Sequence, residues 1–494
     1  MVIIANARSD DARYRALRAH DRRFDGVFFV GVSSTGIYCR PVCRVRLPKR
    51  EHCTFFETAA AAEGAGYRPC LRCRPERAPG RSLTDATHRL ATVAFERISA
   101  GALNAVPMAT LASDLCVSER QLRRAVKRAF GVSPVQLAQT RRLLLAKQLL
   151  AETTLPVTRV AFAAGFSSVS RFNTLFRSRY GLNPTALRRA GSDRAPAGVI
   201  LLRLEYRPPL DWPALLGFLG GRATPGVERV HGDAYVRTVA IDGATGLIDV
   251  RHAPGDAPAL ELRVSDSLGP VLMPLLAAVR RLFDLDAEPE AIARVLSRDK
   301  RLAASVRARP GLRVPGALDG FELAFRAVLG QQVSVRAATT LAGRLTAAFG
   351  EPAPADVLDA ERNGGRLDRL PVTADRLAAV SPDEIAAVGM PLTRARTLVE
   401  LARAVAREAL DLRAGADPDA SISRLFALPG IGPWTAQYIA MRALHWPDAF
   451  PATDLVIRRV LGDDAVRTSE PWRPWRAYAA MHLWAGPTTN GGND

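Results

Sequence analysis

Two groups of residues in this chain have types and spacings suited to chemistry. The first is Cys39-x3-Cys43-x26-Cys70-x2-Cys73, two close pairs separated by a loop. Four thiolates spaced in this way are what a tetrahedral zinc site needs, with sulfur at ~2.3 Å from the metal. Zinc holds a thiol deprotonated, so the same cluster keeps a nucleophile at neutral pH. The second is Leu428-Pro-Gly-Ile-Gly-Pro-Trp434-Thr-Ala-Gln-Tyr438, followed about twenty residues on by Asp454 in Phe450-Pro-Ala-Thr-Asp454-Leu-Val-Ile-Arg. Gly430 and Gly432 make a tight turn before a helix, where backbone N–H groups can face a phosphate.

The other cysteines read as packing residues. Cys53 lies in His52-Cys-Thr-Phe-Phe56, a strand pattern, and Cys116 lies in a helical repeat; both are expected in cores. The last 378 residues contain no cysteine. That excludes a thiolate-held iron–sulfur cluster and a cysteine nucleophile from the C-terminal region. A disulfide framework is not expected in a cytosolic chain of this size.

The elements that carry these groups follow from length, charge and periodicity. At ~100–200 residues per domain, 494 residues imply roughly three domains. No stretch approaches the ~18 apolar residues of a membrane span, and the first apolar run is too short for a signal peptide, so a cytoplasmic protein is expected. The net charge of +19 is uneven. Residues 1–106 hold 18 basic and 10 acidic side chains, residues 107–192 hold 14 and 3, and residues 193–494 hold 36 and 36. Positive charge concentrated in this way suits a polyanion, because each neutralised phosphate releases counterions. Soft joints are expected at Pro75-Glu-Arg-Ala-Pro79-Gly80-Arg-Ser and Gly191-Ser-Asp-Arg-Ala-Pro196-Ala-Gly198. Alternation in Val227–Val230, Tyr235–Ile241 and Leu260–Val264 predicts an antiparallel sheet within roughly 199–310, and from about Phe321 the pattern is helical.

A repeat of fifty residues lies between the joints. Leu122, Val126 and Phe130 form an apolar stripe at helical spacing, as do Phe172, Phe176 and Tyr180; Gly131 and Gly181 follow, with Pro134 and Pro184 beyond. The opposite face of the first copy carries Arg120, Arg123, Arg124, Lys127 and Arg128. That of the second carries Arg171, Arg177 and Arg179, with Asn173 and Thr174 between. A shorter helix and a turn precede each stripe, which is a helix-turn-helix whose second helix enters a major groove. At a fixed offset of fifty, Leu115 stands where the second copy has Gly165.

Four resemblances extend this reading. Thr35-Gly-Ile-Tyr-Cys39-Arg-Pro-Val-Cys43-Arg-Val-Arg46 and Gly66-Tyr-Arg-Pro-Cys70-Leu-Arg-Cys73 resemble the N-terminal domain of the Ada methylation-response proteins. That resemblance implies Cys39 as acceptor of a methyl group from a DNA methylphosphotriester, with Thr35, Arg46, Arg68 and Arg72 on phosphates. A purely structural zinc knuckle is the alternative. Ala163-Ala-Gly-Phe-Ser-Ser-Val-Ser-Arg-Phe-Asn173 resembles the AraC-type DNA-binding domain. It implies Arg120, Arg123, Arg124, Arg171 and Asn173 as DNA contacts. The Leu428–Tyr438 segment resembles the helix-hairpin-helix of DNA repair glycosylases, in which an acid at the place of Asp454 faces the sugar. Tyr206-Arg-Pro-Pro-Leu-Asp-Trp, Arg326-Ala-Val-Leu-Gly-Gln331-Gln-Val-Ser-Val335 and Trp475-Arg-Ala-Tyr-Ala-Ala-Met-His-Leu-Trp484 resemble the AlkA-type 3-methyladenine glycosylases.

This last resemblance implies a base pocket of Phe218, Gln331, Trp434, Tyr438 and Trp484, whose aromatic faces suit a cationic alkylpurine. It also implies a wedge at Gln332 and a monovalent cation on the carbonyls of Phe426, Leu428 and Gly430. Trp475 is expected in the core. Lyase-type glycosylases use a lysine Schiff base. The only lysine beyond residue 192 is Lys300, outside the hairpin, so a monofunctional enzyme is expected. The separate alkylguanine transferase activity of Ada is expected to be absent, since its core cysteine has no counterpart after Cys116.

The expected architecture is multidomain and mainly α with α+β. It comprises a small zinc α/β domain (1–78), a double helix-turn-helix bundle (82–190), a TBP-like antiparallel-sheet subdomain (199–310) and a helical helix-hairpin-helix glycosylase core (311–487). Double-stranded DNA and RNA polymerase are the expected partners of a monomer, with no membrane. The rival is a non-enzymatic activator whose C-terminal region only binds DNA; Asp454 and the aromatics argue against it.

Overall fold

The computed structural model describes residues 10–79, 89–187, 197–355 and 367–486. The second soft joint falls largely on residues 188–196, outside the described residues, whereas of the first only residues 80–82 lie outside: Pro75–Arg77 is a short 3-10 helix with Pro75 buried and Glu76 paired with Lys147, not a loose joint. The chain is helix-rich, with two small sheets. Among the described residues no helix is long and apolar enough to cross a membrane.

Near the N-terminus, β1 (Phe29–Val32), β2 (Ile37–Cys39), β3 (Cys53–Phe56) and β4 (Arg68–Pro69) form a sheet in the order β3-β1-β2-β4. Only β2 and β4 are parallel, pairing Ile37 with Arg68 and Tyr38 with Pro69. One step further along this parallel pair, Cys39 and Cys70 leave the sheet side by side. Cys53 opens β3 and is buried, as expected.

The repeat folds as two helix-turn-helix units. Helices Met108–Asp114 and Glu119–Phe130 form the first, and Val157–Ala163 and Val169–Tyr180 the second; helix Pro134–Glu152 joins them. Ser118 caps its helix in a reciprocal pair with Gln121, and Gly131 and Gly181 end theirs at φ +75° and +67°. Both apolar stripes are buried.

The turns differ from expectation. The left-handed position matching Gly165 (φ +85°) is Cys116 (φ +54°), not Leu115. Val117 N–H bonds Ala112 O as Phe166 N–H bonds Ala161 O, which fixes the equivalence. The first turn is one residue shorter before its capping serine, Ser118 against Ser168, so a fixed offset misaligns it. Cys116 is therefore exposed rather than core. Glycine suits position 165, at φ +85° and with the Asn104 side chain 2.1 Å from where a Cβ would stand.

The expected antiparallel sheet is present with two strands more. β5 (Val199–Glu205), β6 (Glu228–His231), β7 (Ala234–Ile241), β8 (Ala244–His252) and β9 (Ala259–Ser265) run β5-β9-β8-β7-β6, every pair antiparallel. β5 alternates buried and half-buried residues, as a strand with one face on a core should. Its core is shared. Val160, Phe166, Phe172 and Phe176 of the second unit pack in one cluster with Ile200, Leu202, Leu260 and Leu262 of the sheet. The first unit keeps a separate core of Ile98, Leu111, Leu122, Val126 and Phe130. A helical core from Ile292 to Leu483 fills the C-terminal region and includes Trp475 at 3% exposure, as expected.

Candidate functional site

The sulfurs of Cys39, Cys43, Cys70 and Cys73 all lie within 4.8 Å of one another. Four sulfurs at ~2.3 Å around one ion stand about 3.8 Å apart in a tetrahedron, so the set fits zinc. Cys39 is 5% exposed, and a small recess lined by Leu17, His20, Val45 and Leu47 reaches it and Cys43. Thr35, Arg46, Arg68 and Arg72 are all exposed. None of these three arginines forms an ion pair among the described residues.

Sequence reasoning missed what surrounds the cluster. Arg40, next to Cys39, donates its backbone N–H to Cys73 Sγ at 3.4 Å and a guanidinium N–H to Cys73 O at 3.0 Å. The same buried guanidinium pairs with Asp25 and with Glu205 at the end of β5, the latter at 2.6 Å. Arg207 donates to the carbonyl of Asp25. On the other side Glu63 accepts from Tyr38 Oη and from Thr140 of the joining helix. Burial pushes the Glu63 carboxyl up to about 7, against the pull of Thr140 and Arg179. Arg179 donates to Glu63 O at 2.7 Å, so it serves this junction rather than the open basic face.

On the two longer reading helices, Arg120, Arg123, Arg124, Lys127, Arg128 and Arg171 are exposed and Asn173 is half-buried. Arg123 is also held by Glu119 at 2.8 Å, one turn away.

At the C-terminal site, helices Pro418–Phe426 and Pro433–Arg442 flank the glycine turn. Gly430 stands at φ +83°, and a Cβ there would lie 2.2 Å from Thr397 Oγ1. At Gly432, the cap of the second helix, a Cβ would meet nothing, so the fold leaves that surface open. Gln331 Nε2 donates to Gly430 O and to Thr435 Oγ1, both at 2.9 Å. Its amide fastens the hairpin to the preceding turn. On that turn Gln332 is exposed and left-handed, at φ +55°.

Asp454 caps helix Leu455–Leu461. Its Oδ1 accepts from Val456 N (2.9 Å), Ile457 N (3.2 Å) and Trp484 Nε1 (3.0 Å). Its Oδ2 accepts from Trp434 Nε1 at 2.8 Å. Every partner is a donor, which suits an ionised carboxylate. Trp434 stacks on Tyr438 with centroids 5.0 Å apart and planes 12° from parallel; Tyr438 and Trp484 centroids are 6.2 Å apart.

Phe218 joins this group through two arginines that sequence reasoning missed. Arg222 lies 3.8 Å and Arg442 4.9 Å from its ring centroid. Arg442 also donates to Tyr438 Oη at 2.6 Å. Burial alone would raise the Tyr438 phenol, but the guanidiniums of Arg442, Arg222 and Arg326 outweigh it and bring it below its usual value. The Phe218 ring, expected to attract a cationic base, already carries two cations of the protein. The signal was present: each arginine stands four residues after an aromatic, Arg442 on the helix of Tyr438 and Arg222 in the turn that follows the helix of Phe218.

Four families match along the chain. They are the metal binding domain of Ada over residues 12–76, a helix-turn-helix domain over 111–190, the AlkA N-terminal domain over 201–319 and the HhH-GPD superfamily of base excision DNA repair proteins over 325–471. A Mycobacterium tuberculosis protein named probable bifunctional transcriptional activator/DNA repair enzyme AlkA is 42% identical over 484 residues, 95% of either chain. DNA-3-methyladenine glycosylase 2 of Escherichia coli is 37% identical over 57% of this chain and 95% of its own. The bifunctional transcriptional activator/DNA repair enzyme Ada of Escherichia coli is 31% identical over 39% of this chain and 52% of its own.

Proposed function

As the chain belongs to the family of bifunctional transcriptional activator/DNA repair enzymes that join an Ada-type metal domain to an AlkA-type glycosylase, we propose that it excises alkylated bases at Asp454 and senses methylated phosphates at Cys39. The observation that carries the first half is the carboxylate of Asp454, held by the indole N–H groups of Trp434 and Trp484 beside the aromatic stack. The C1′–N bond of an extruded nucleotide breaks with both electrons passing to the base. The sugar becomes cationic, and Asp454 stabilises it. Water then adds to C1′ and releases a proton. Phe218, Trp434, Tyr438 and Trp484 line the base side, Gly430 and Gly432 take a phosphate, and Gln332 fills the gap left in the stack. Gln331 acts by fixing the hairpin.

The enzyme is monofunctional in this reading, because no lysine stands near the hairpin in sequence to form a Schiff base. The carbonyls of Phe426, Leu428 and Gly430 are the candidate ligands of a monovalent cation at the hairpin; Gly430 O also accepts from Gln331, which leaves it one lone pair for the ion.

In the regulatory half Cys43, Cys70 and Cys73 would hold zinc together with Cys39, and the ion would supply the charge that keeps the Cys39 thiol deprotonated and nucleophilic. A bond forms between Cys39 Sγ and the methyl carbon as the methyl C–O bond of the phosphotriester breaks, leaving a phosphodiester anion. The cluster passes from a formal −2 to −1 and repels DNA less. Thr35, Arg46, Arg68 and Arg72, with Arg120, Arg123, Arg124, Arg171 and Asn173, then hold promoter DNA. RNA polymerase is the partner of this half, and the chain acts as a monomer over the segments 1–78, 82–190, 199–310 and 311–487.

Release of free 3-methyladenine from alkylated DNA by the purified chain, alongside Asp454→Asn, tests the excision reading. Mass spectrometry of the Cys39 peptide after incubation with methylphosphotriester DNA tests the sensor: a gain of one methyl group on that peptide alone is expected.

A further inference from the structure

Two guanidiniums, the buried one of Arg442 and the half-buried one of Arg222, face the base side of the excision site without a paired carboxylate. Arg442 donates only to Pro315 O, Gly316 O and Tyr438 Oη. Arg222 donates to Phe218 O and lies over the Phe218 ring. Among the described residues no carboxylate pairs with either. Arg326, also near Tyr438, is by contrast neutralised by Glu228. Charge withdrawn from water without a counter-ion is costly, so two guanidiniums kept side by side here call for a reason. The negative group of the site, Asp454, lies beyond the Trp434–Tyr438 stack. Positive charge on the base side and negative charge on the sugar side give the site a field along the scissile bond.

Resting on the glycosylase reading above, we propose that Arg222 and Arg442, the latter through the Tyr438 hydroxyl, form a positive pole that draws electrons toward the departing base. When the C1′–N bond breaks, the electron pair moves to the base nitrogen. The base loses one unit of positive charge and the sugar gains it, whether a cationic lesion leaves neutral or a neutral one leaves as an anion. A fixed positive pole therefore favours the transition state over the bound substrate in both cases. With Arg442 donating to its oxygen, Tyr438 keeps its own O–H to donate, and a ring nitrogen or carbonyl oxygen of the base is the acceptor this suits. The pole has a cost for cationic lesions alone: it repels them in the ground state. Arg222 and Arg442 thus set specificity as well as rate, weakening the binding of cationic bases while speeding their departure.

The two effects have opposite signs in one variant. Arg222→Gln should slow single-turnover release of 7-methylguanine, a cationic base, by about 10- to 100-fold, the value of one charge several ångströms away at an effective dielectric near 20. The same substitution should tighten binding of that lesion several-fold, measured in an Asp454→Asn background where release is slow compared with binding. Arg222→Lys should restore both values. Loss of both rate and binding in Arg222→Gln marks a packing residue and overturns the proposal. An unchanged or faster rate overturns it too, by marking a charge that only repels. A wild-type chain that releases no base overturns the glycosylase reading and this proposal with it. Should Arg222→Gln fail to fold, Tyr438→Phe keeps the ring and every buried charge. It should slow release several-fold while the protein stays folded, and an unaltered rate there overturns the proposal.

Discussion

At Cys39 four sulfurs crowd within 4.8 Å, a set that fits one dication, whereas at Asp454 a single carboxylate is held by four N–H groups of the protein itself. The first site takes its order from an ion, and the second from packing. The difference teaches where each is vulnerable. A thiolate cluster fails all at once when one ligand goes, because the remaining charges repel. A carboxylate among indoles fails by degrees, one donor at a time.

The largest effect should come from the metal site. Cys43→Ser or Cys70→Ser should abolish zinc stoichiometry and unfold residues 12–76, since structural zinc supplies ~10–16 kcal/mol to small domains. Zinc analysis and near-ultraviolet circular dichroism read this, and base excision should persist. Loss of excision together with zinc would break the comparison, and would point to Arg40 and Glu205 as a coupling between the two centres. Next in size is Asp454→Asn, which should cut excision ~10²–10³-fold with folding and damaged-DNA binding intact. Near-normal release would remove Asp454 from the chemistry. Trp484→Phe keeps a ring and loses one N–H on the carboxylate; a charge-assisted hydrogen bond of this kind makes about tenfold in kcat the expected loss. A change confined to KM would show that the indole only stacks.

The smallest effect is a pH dependence special to the packed site. His482, two residues before Trp484, is buried and its imidazole is pushed down to about 4, by burial first and Arg309 second. The unfolded chain takes up a proton near 6.5 while the folded one does not. Stability is therefore full above about 6.5 and declines as pH falls toward 4, by up to about 3 kcal/mol. Melting of the wild type and of His482→Gln between pH 7 and 4.5 measures it. Equal slopes would show that another group carries the acid sensitivity.

How much of this could be read in the sequence follows the same division. Cysteine spacing is local and explicit, so all four ligands were legible, as were the hairpin, the acid after it and both apolar stripes. Contacts made by ordinary residues across long separations were not. Nothing about Arg40 announces a pairing with Glu205, 165 positions away, and Arg179 looked like part of a basic face until Glu63 claimed it. Cys116 was misplaced because the first turn is one residue shorter, and a fixed repeat length cannot register a deletion inside one copy. Arg222 and Arg442 were overlooked for another reason: attention to aromatics as acceptors of a ligand's charge hid the charges the chain itself brings.

The shared core of the second helix-turn-helix and the five-stranded sheet has a consequence for motion. A segment opens to solvent only together with whatever its buried side chains touch. Phe172 and Phe176 touch the cluster that holds Leu202 and Leu260, while Leu122 and Val126 touch a small cluster of their own. The two copies of one repeat therefore breathe on different clocks. Backbone amides in helix Glu119–Phe130 exchange their hydrogens by a local opening of a few helices. Those in helix Val169–Tyr180 wait for the sheet itself to come apart.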